Sequence, residues 1–145
     1  MNVLEFHSEF EEQGEKPLFQ EILVATNKKL RPDSDLSLEI GLISDEEMLA
    51  LNSQYRNKDS STDVLSFSMP RETKEGIHLG QIFISPVIAE RQARELQHTY
   101  LYEMCFLFSH GLLHLMAWDH QTEETDKEMK AMSYLIIEPI ISKNS

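Results

Sequence analysis

The stretch YLYEMCFLFSHGLLHLMAWDH, residues 100–120, decides how the chain must fold. Its first part, residues 100–115, is apolar on every side of a helical wheel, which suits a helix enclosed by others and not one lying on a surface. From Met104 to Trp118 there are 15 residues without Asp, Glu, Lys or Arg. A membrane span needs about 20 predominantly apolar residues, and Ser109, His110 and His114 interrupt even this run. The stretch is therefore predicted to be a central helix of a soluble protein. Cys105 lies inside it and, as the lone cysteine, excludes an internal disulfide framework; it reads as a small core residue in a reducing cytosol.

Working outward, the flanking segments predict what surrounds that helix. LSLEIGLI (36–43) alternates with period two, as a half-buried strand does, and NVLEFH (2–7) alternates weakly. DVLSFSM (63–69) and HLGQIFIS (78–85) are β-rich runs separated by a turn-rich loop, MPRETKEG (69–76), and are expected to neighbour each other in a sheet. Between and after the strands come helical periods. KPLFQEILVATNKKL (16–30) aligns Leu18, Ile22, Ala25 and Leu30, and SDEEMLALNSQYR (44–56) opens with a Ser44/Glu47 capping-box pair. SPVIAERQARELQ (85–97) begins with Ser then Pro and repeats apolar residues at Val87, Ile88, Ala93 and Leu96. TEETDKEMKAMSYLIIEPI (122–140) starts at a threonine N-cap and is expected to close near Pro139. Together these predict an α+β fold: a single mixed β-sheet of about four strands covered by helices.

The 145 residues contain no repeat, low-complexity block or Pro/Gly/Ser-rich linker, so residues 1–145 read as a single domain. The N-terminus lacks the basic start and apolar run of a secretory signal, which again predicts a cytoplasmic protein. Thirteen basic against twenty-five acidic side chains leave a net charge of −12, the wrong sign for holding nucleic acid by bulk charge. Any anionic substrate must be held by local cations or a metal.

Within the central helix, His110 and His114 stand one turn apart on the same face, the spacing that lets two imidazoles reach one ion. They can instead be core or helix-end histidines, but neutral imidazoles buried without partners cost roughly 1–3 kcal/mol per unpaired nitrogen, and an ion removes that cost. His120 follows six residues later, about 600° of helical rotation away, so it joins them only if the helix ends near Leu115–Ala117 and the chain folds back. Three imidazoles would leave one position of a tetrahedral ion open, as catalytic zinc sites do, with Asp119 placed to orient one of them. The same spacing occurs in metzincin proteases, HExxHxxGxxH, where a glutamate after the first histidine is the general base. Here that position is Gly111, so the peptidase mechanism lacks its proton acceptor.

The segment HGLLHLMAWDH (110–120) resembles the signature of the YbeY family of bacterial endoribonucleases, which is close to HGxLHLxGYDH. LNSQYRNKDSSTDVLSF (51–67) is similar to a second block of that family, close to LNxxYRxxDxxTDVLSF, and LGQIFIS (79–85) to a third, close to LGDIxIS. The resemblance implies a metal-dependent, single-strand-specific endoribonuclease acting in ribosomal RNA maturation, 16S 3′-end processing included, and in ribosome quality control. It implies one zinc ion (Zn2+) per chain on His110, His114 and His120, and a functional arginine at Arg56. Three positions depart from the pattern: Ala117 replaces glycine at the expected turn, Trp118 replaces tyrosine, and Gln81 replaces an acid and cannot act as a general base.

On this reading the catalytic residues are His114, through the ion, and Arg56, whose planar fork can take two phosphate oxygens; Lys58 joins Arg56 in binding substrate, and Arg71 extends the patch. The expected partners are single-stranded RNA, ribosomal RNA and ribosomal proteins, with no membrane and no second copy of the chain. Glu103 lies near the metal-facing stripe and is either a partner that orients a metal ligand or, the preferred reading, a helix-start carboxylate meeting a basic side chain. His7, His78 and His98 read as solvated or turn histidines, and Phe106 and Phe108 as core rather than base-stacking platforms. A non-catalytic ribosome assembly factor with structural zinc, and a metal-dependent hydrolase of another class, remain as alternatives.

Overall fold

A computed structural model describes residues 2–56, 64–116 and 123–144. Along the chain run β1 (Val3–Ser8), α1 (Glu15–Leu30), β2 (Leu36–Leu42), α2 (Asp45–Arg56), β3 (Val64–Thr73), β4 (Gly76–Ile84), α3 (Pro86–Leu96), α4 (Tyr100–Leu115) and α5 (Glu123–Asn144). The strands form one four-stranded sheet in the order β1-β2-β4-β3, with β1, β2 and β4 parallel and β3 antiparallel to β4. The α+β class and the mixed four-stranded sheet are those the sequence predicts.

Alternation places Leu36, Leu38, Ile40 and Leu42 of β2 on one sheet face, where they share a core with Ile82 and Ile84 of β4. Onto that face pack Phe19, Ile22 and Leu23 of α1 and Met104, Phe108 and Leu112 of α4, and Ile136, Ile137 and Ile140 of α5 close the same core against those two helices. Phe108 is wholly buried and stacks on Phe19 with ring centroids 4.4 Å apart. Helix α4 touches β3, β4, α1, α3 and α5, the central position its all-round apolar surface requires. Two of the three expected capping signals form, with Glu47 N–H donating to Ser44 Oγ at 3.1 Å and Ile88 N–H to Ser85 Oγ at 3.3 Å, while Thr122 lies outside the described residues.

Four expectations need correction. The segment 69–76 is not a loop, because β3 runs on to Thr73 and only residues 74–75 connect it to β4. β3 is the sheet edge, and Pro70 sits where the register shifts between Ser68 and Arg71, so its missing N–H interrupts no regular pairing. Helix α5 passes through Pro139 to Asn144. The carbonyl deprived of a partner there belongs to Leu135, 56% exposed, so water can satisfy it, while buried Ile136, Ile137 and Ile140 hold the opposite side of the helix. In α1, Ala25 and Leu30 are only partly buried and Phe19 and Leu23 take the core positions; in α3, Val87 and Leu96 face solvent and Ala89 is buried instead. His78 lies in β4 rather than in a turn, its Nδ1 3.0 Å from Ser37 Oγ on β2.

Cys105 is fully buried, and burial, aided by the Glu21 carboxylate, pushes its thiol up to about 12. The folded protein therefore holds the thiol proton more tightly than the unfolded chain, a contribution present below the ordinary thiol value of 9.0 and lost as pH climbs towards about 12. Native protein at about pH 8 is expected to resist thiol reagents and to react with them only on unfolding. Fast, stoichiometric labelling without denaturant would contradict this burial.

Candidate active site

The last turns of α4 carry the first two candidate ligands. The rings of His110 and His114 are 4.8 Å apart between centroids and nearly perpendicular, at 79°, and both side chains are partly buried. Helix α4 ends at Leu115, with Met116 N–H closing on the Leu112 and Leu113 carbonyls at 3.1 Å. The end falls inside the interval that a third histidine requires. His120, Asp119, Ala117 and Trp118 lie outside the described residues, as does Lys58. Among the described residues no three His, Cys, Asp or Glu side chains gather into a metal-binding group.

The two imidazoles nevertheless fit a divalent cation. They are one turn apart on one face, their rings are adjacent, and they sit at the helix C-terminus, where the aligned peptide dipoles favour positive charge. The backbone beneath them is held against the sheet. Ser66 of β3 donates its hydroxyl to the Gly111 carbonyl at 3.2 Å, and a Cβ at Gly111 would lie 3.0 Å from Ser66 Oγ and 3.2 Å from Ile82 Cγ2. Gly111 thus lets α4 approach the sheet closely.

Around them the structure separates residues that the sequence could only place in order. Arg56 is the last residue of α2. Arg71, on β3, lines a groove of about 350 Å³ with Ser68, Glu72, Leu115 and Met116, so it borders the end of α4. Arg31, the residue that closes α1, lines the same groove and escaped the sequence reading. Nothing local marks it, since it comes to the groove that Arg71 lines only when α1 and the β3 edge fold together.

Gln81 belongs elsewhere. Ile82 faces α4, so Gln81 beside it points to the opposite sheet face, where its Nε2 donates to Glu39 Oε2 of β2 at 2.9 Å. The change from acid to amide at this position therefore leaves the histidine face untouched. The carboxylate it meets, Glu39, is its register partner on the next strand, a pairing no single strand displays.

Glu103 meets a basic side chain, as expected. It is buried, and His98 Nε2, in the turn between α3 and α4, lies 2.5 Å from its Oε1. His7 is exposed. Phe108 is core, and Phe106 is partly buried against that core, with its ring 6.0 Å from His110 at 23° and 5.2 Å from Tyr134 of α5 at 29°. The helical pattern alone assigns both phenylalanines to the interior. Among the described residues no helix is long and apolar enough to cross a membrane.

Comparison with known proteins gives a consistent picture. The family model Endoribonuclease YbeY matches residues 3–140. The Endoribonuclease YbeY of Nautilia profundicola is 46% identical over 107 residues, 74% of this chain and 74% of its own length. That of Heliobacterium modesticaldum is 38% identical over 140 residues, covering 89% of this chain and 84% of its own. The solution structure of TM1509 from Thermotoga maritima is similar with a TM-score of 0.62 at 26% identity, over 97% of this chain and 93% of that one.

Proposed function

The chain belongs to the YbeY endoribonuclease family, and from that premise we propose that it is a zinc-dependent, single-strand-specific endoribonuclease of ribosomal RNA maturation and ribosome quality control. The observation that carries the reading is the pair of adjacent imidazoles at the C-terminus of α4, 4.8 Å apart between ring centroids. His110, His114 and His120 hold one Zn2+. Bound there, the ion supplies Lewis acidity to a phosphoryl oxygen or acidifies water to a pKa of about 7. Arg56 presents its guanidinium to the scissile phosphate and stabilises the charge that builds in the transition state. Lys58 and Arg56 bind the strand, and Arg71 with Arg31 supplies further positive charge along the groove beside α4. In a chain of net charge −12 such local cations are what an RNA strand needs. Residues 1–145 act as one domain, as a cytoplasmic monomer, on ribosomal RNA in the company of ribosomal proteins.

Gly111 weakens the peptidase alternative a second time. A Cβ there would already crowd Ser66 and Ile82 of the sheet, so the helix as packed leaves no room for a glutamate. The test is incubation of protein loaded with a defined metal with single-stranded RNA, duplex RNA and a peptide. Cleavage of the first substrate alone, abolished by chelation, is expected. Arg56→Ala should lower kcat by about 100- to 1000-fold with bound metal unchanged. RNA binding without scission would support a non-catalytic assembly factor instead, and peptide cleavage would support a different hydrolase.

A further inference from the structure

We propose that Tyr134 of α5 is a stacking platform for an unpaired base of the RNA strand, and that it helps select single-stranded substrate; this rests on the nuclease reading above. His110, Phe106 and Tyr134 form a row of rings, 6.0 Å and then 5.2 Å apart, tilted by only 23° and 29° from one to the next. The inner end of the row is a candidate metal ligand. The outer end, Tyr134, is 42% exposed, so its ring offers surface to a ligand that approaches the histidines.

The cations beside it identify that ligand's chemistry. Helices α4 and α5 are antiparallel in register, since Tyr102 meets Glu138 through a 3.5 Å hydrogen bond and Phe106, one turn on, meets Tyr134, one turn back. Continuing the register sets Lys130 level with His110. Lys127, Lys130 and Tyr134, spaced three and four residues apart, share one face of α5, and both lysines are exposed. An aromatic ring beside two cations suits a strand whose bases are free to stack while its phosphates meet the lysines. A duplex has already spent its base faces on its own stacking, so the same platform disfavours it. At the far end, Glu138 is held by Tyr102 Oη and repels phosphate, which limits the track to the side of the histidines.

The test uses the full-length protein in chelator, so that binding is read without cleavage. Short single-stranded RNAs carry 2-aminopurine, or an abasic nucleotide, at successive positions. Wild-type protein is expected to quench one 2-aminopurine position, and an abasic nucleotide there should weaken binding about 5-fold or more. Tyr134→Ala should weaken binding of intact RNA by a similar factor, lose the quench and be indifferent to the abasic substitution, whereas Tyr134→Phe should match wild type. With metal restored, Tyr134→Ala should raise KM and leave kcat nearly unchanged. Wild-type quench and affinity in Tyr134→Ala, with single-stranded RNA still cleaved, would overturn the stacking role alone. Absence of any position-specific quench or abasic effect in wild type would overturn it without reference to a variant. Failure of wild type to bind or cleave single-stranded RNA would overturn the nuclease reading as well.

Discussion

Replacing His114 with alanine is expected to remove the bound metal and RNA cleavage together, activity falling by about 1000-fold or more, because the ion in the proposed site supplies the chemistry that no remaining side chain replaces. The protein itself should stay folded. His114 is partly buried on the last turn of α4, whereas the helix is anchored by Met104, Phe108 and Leu112, all fully buried on other turns or faces. Its loss should shift Tm by no more than about 4 °C. Metal content by mass spectrometry, cleavage of single-stranded RNA and a melting curve are read on the same preparation. A folded variant that kept stoichiometric zinc or full activity would remove His114 from the site.

Gly111→Glu has the second large effect, and it acts on stability. A carboxylate at this position is what the zinc peptidase pattern requires, yet here even a Cβ would crowd Ser66 Oγ at 3.0 Å and Ile82 Cγ2 at 3.2 Å. Forcing in a longer side chain costs about 1–3 kcal/mol in overpacking, and an unpaired buried charge costs several more. Set against a total stability of about 5–15 kcal/mol, that should leave a protein largely unfolded or insoluble. Gly111→Ala is the control: the Ser66 hydroxyl can give by a few tenths of an ångström, and the better helix propensity of alanine, about 1 kcal/mol, offsets the crowding. A soluble Gly111→Glu protein with wild-type Tm would show that α4 does not lie on the sheet as described.

Much of the architecture was legible because its signals are local. Alternation in residues 36–43 exposes β2, the Ser44/Glu47 and Ser85/Pro86 pairs start α2 and α3, and unbroken apolarity makes α4 central. The misread segments are those where a breaker met a permissive place. Pro70 at an edge-strand register shift and Pro139 on the exposed side of α5 cost far less than the same residue would in a central strand or a buried helix. Periodicity could not tell which side of α1 or α3 would be covered, because Leu30, Val87 and Leu96 sit at helical intervals on edges that no neighbour reaches completely.

The sequence by itself determined the candidate donors, two imidazoles one helical turn apart, and a helix too apolar to lie anywhere but among others. Both follow from a repeat of 3.6 residues, which depends only on neighbours within a turn or two. Tertiary structure decided what those donors face. It set Gly111 against Ser66 and Ile82, sent Gln81 to the opposite side with Glu39, put Arg31 on one groove with Arg71, and laid Tyr134 against Phe106. Each of those meetings joins residues far apart in the chain. They exist only because strand register and helix packing, cooperative outcomes of burying one shared core, bring distant segments to a common place.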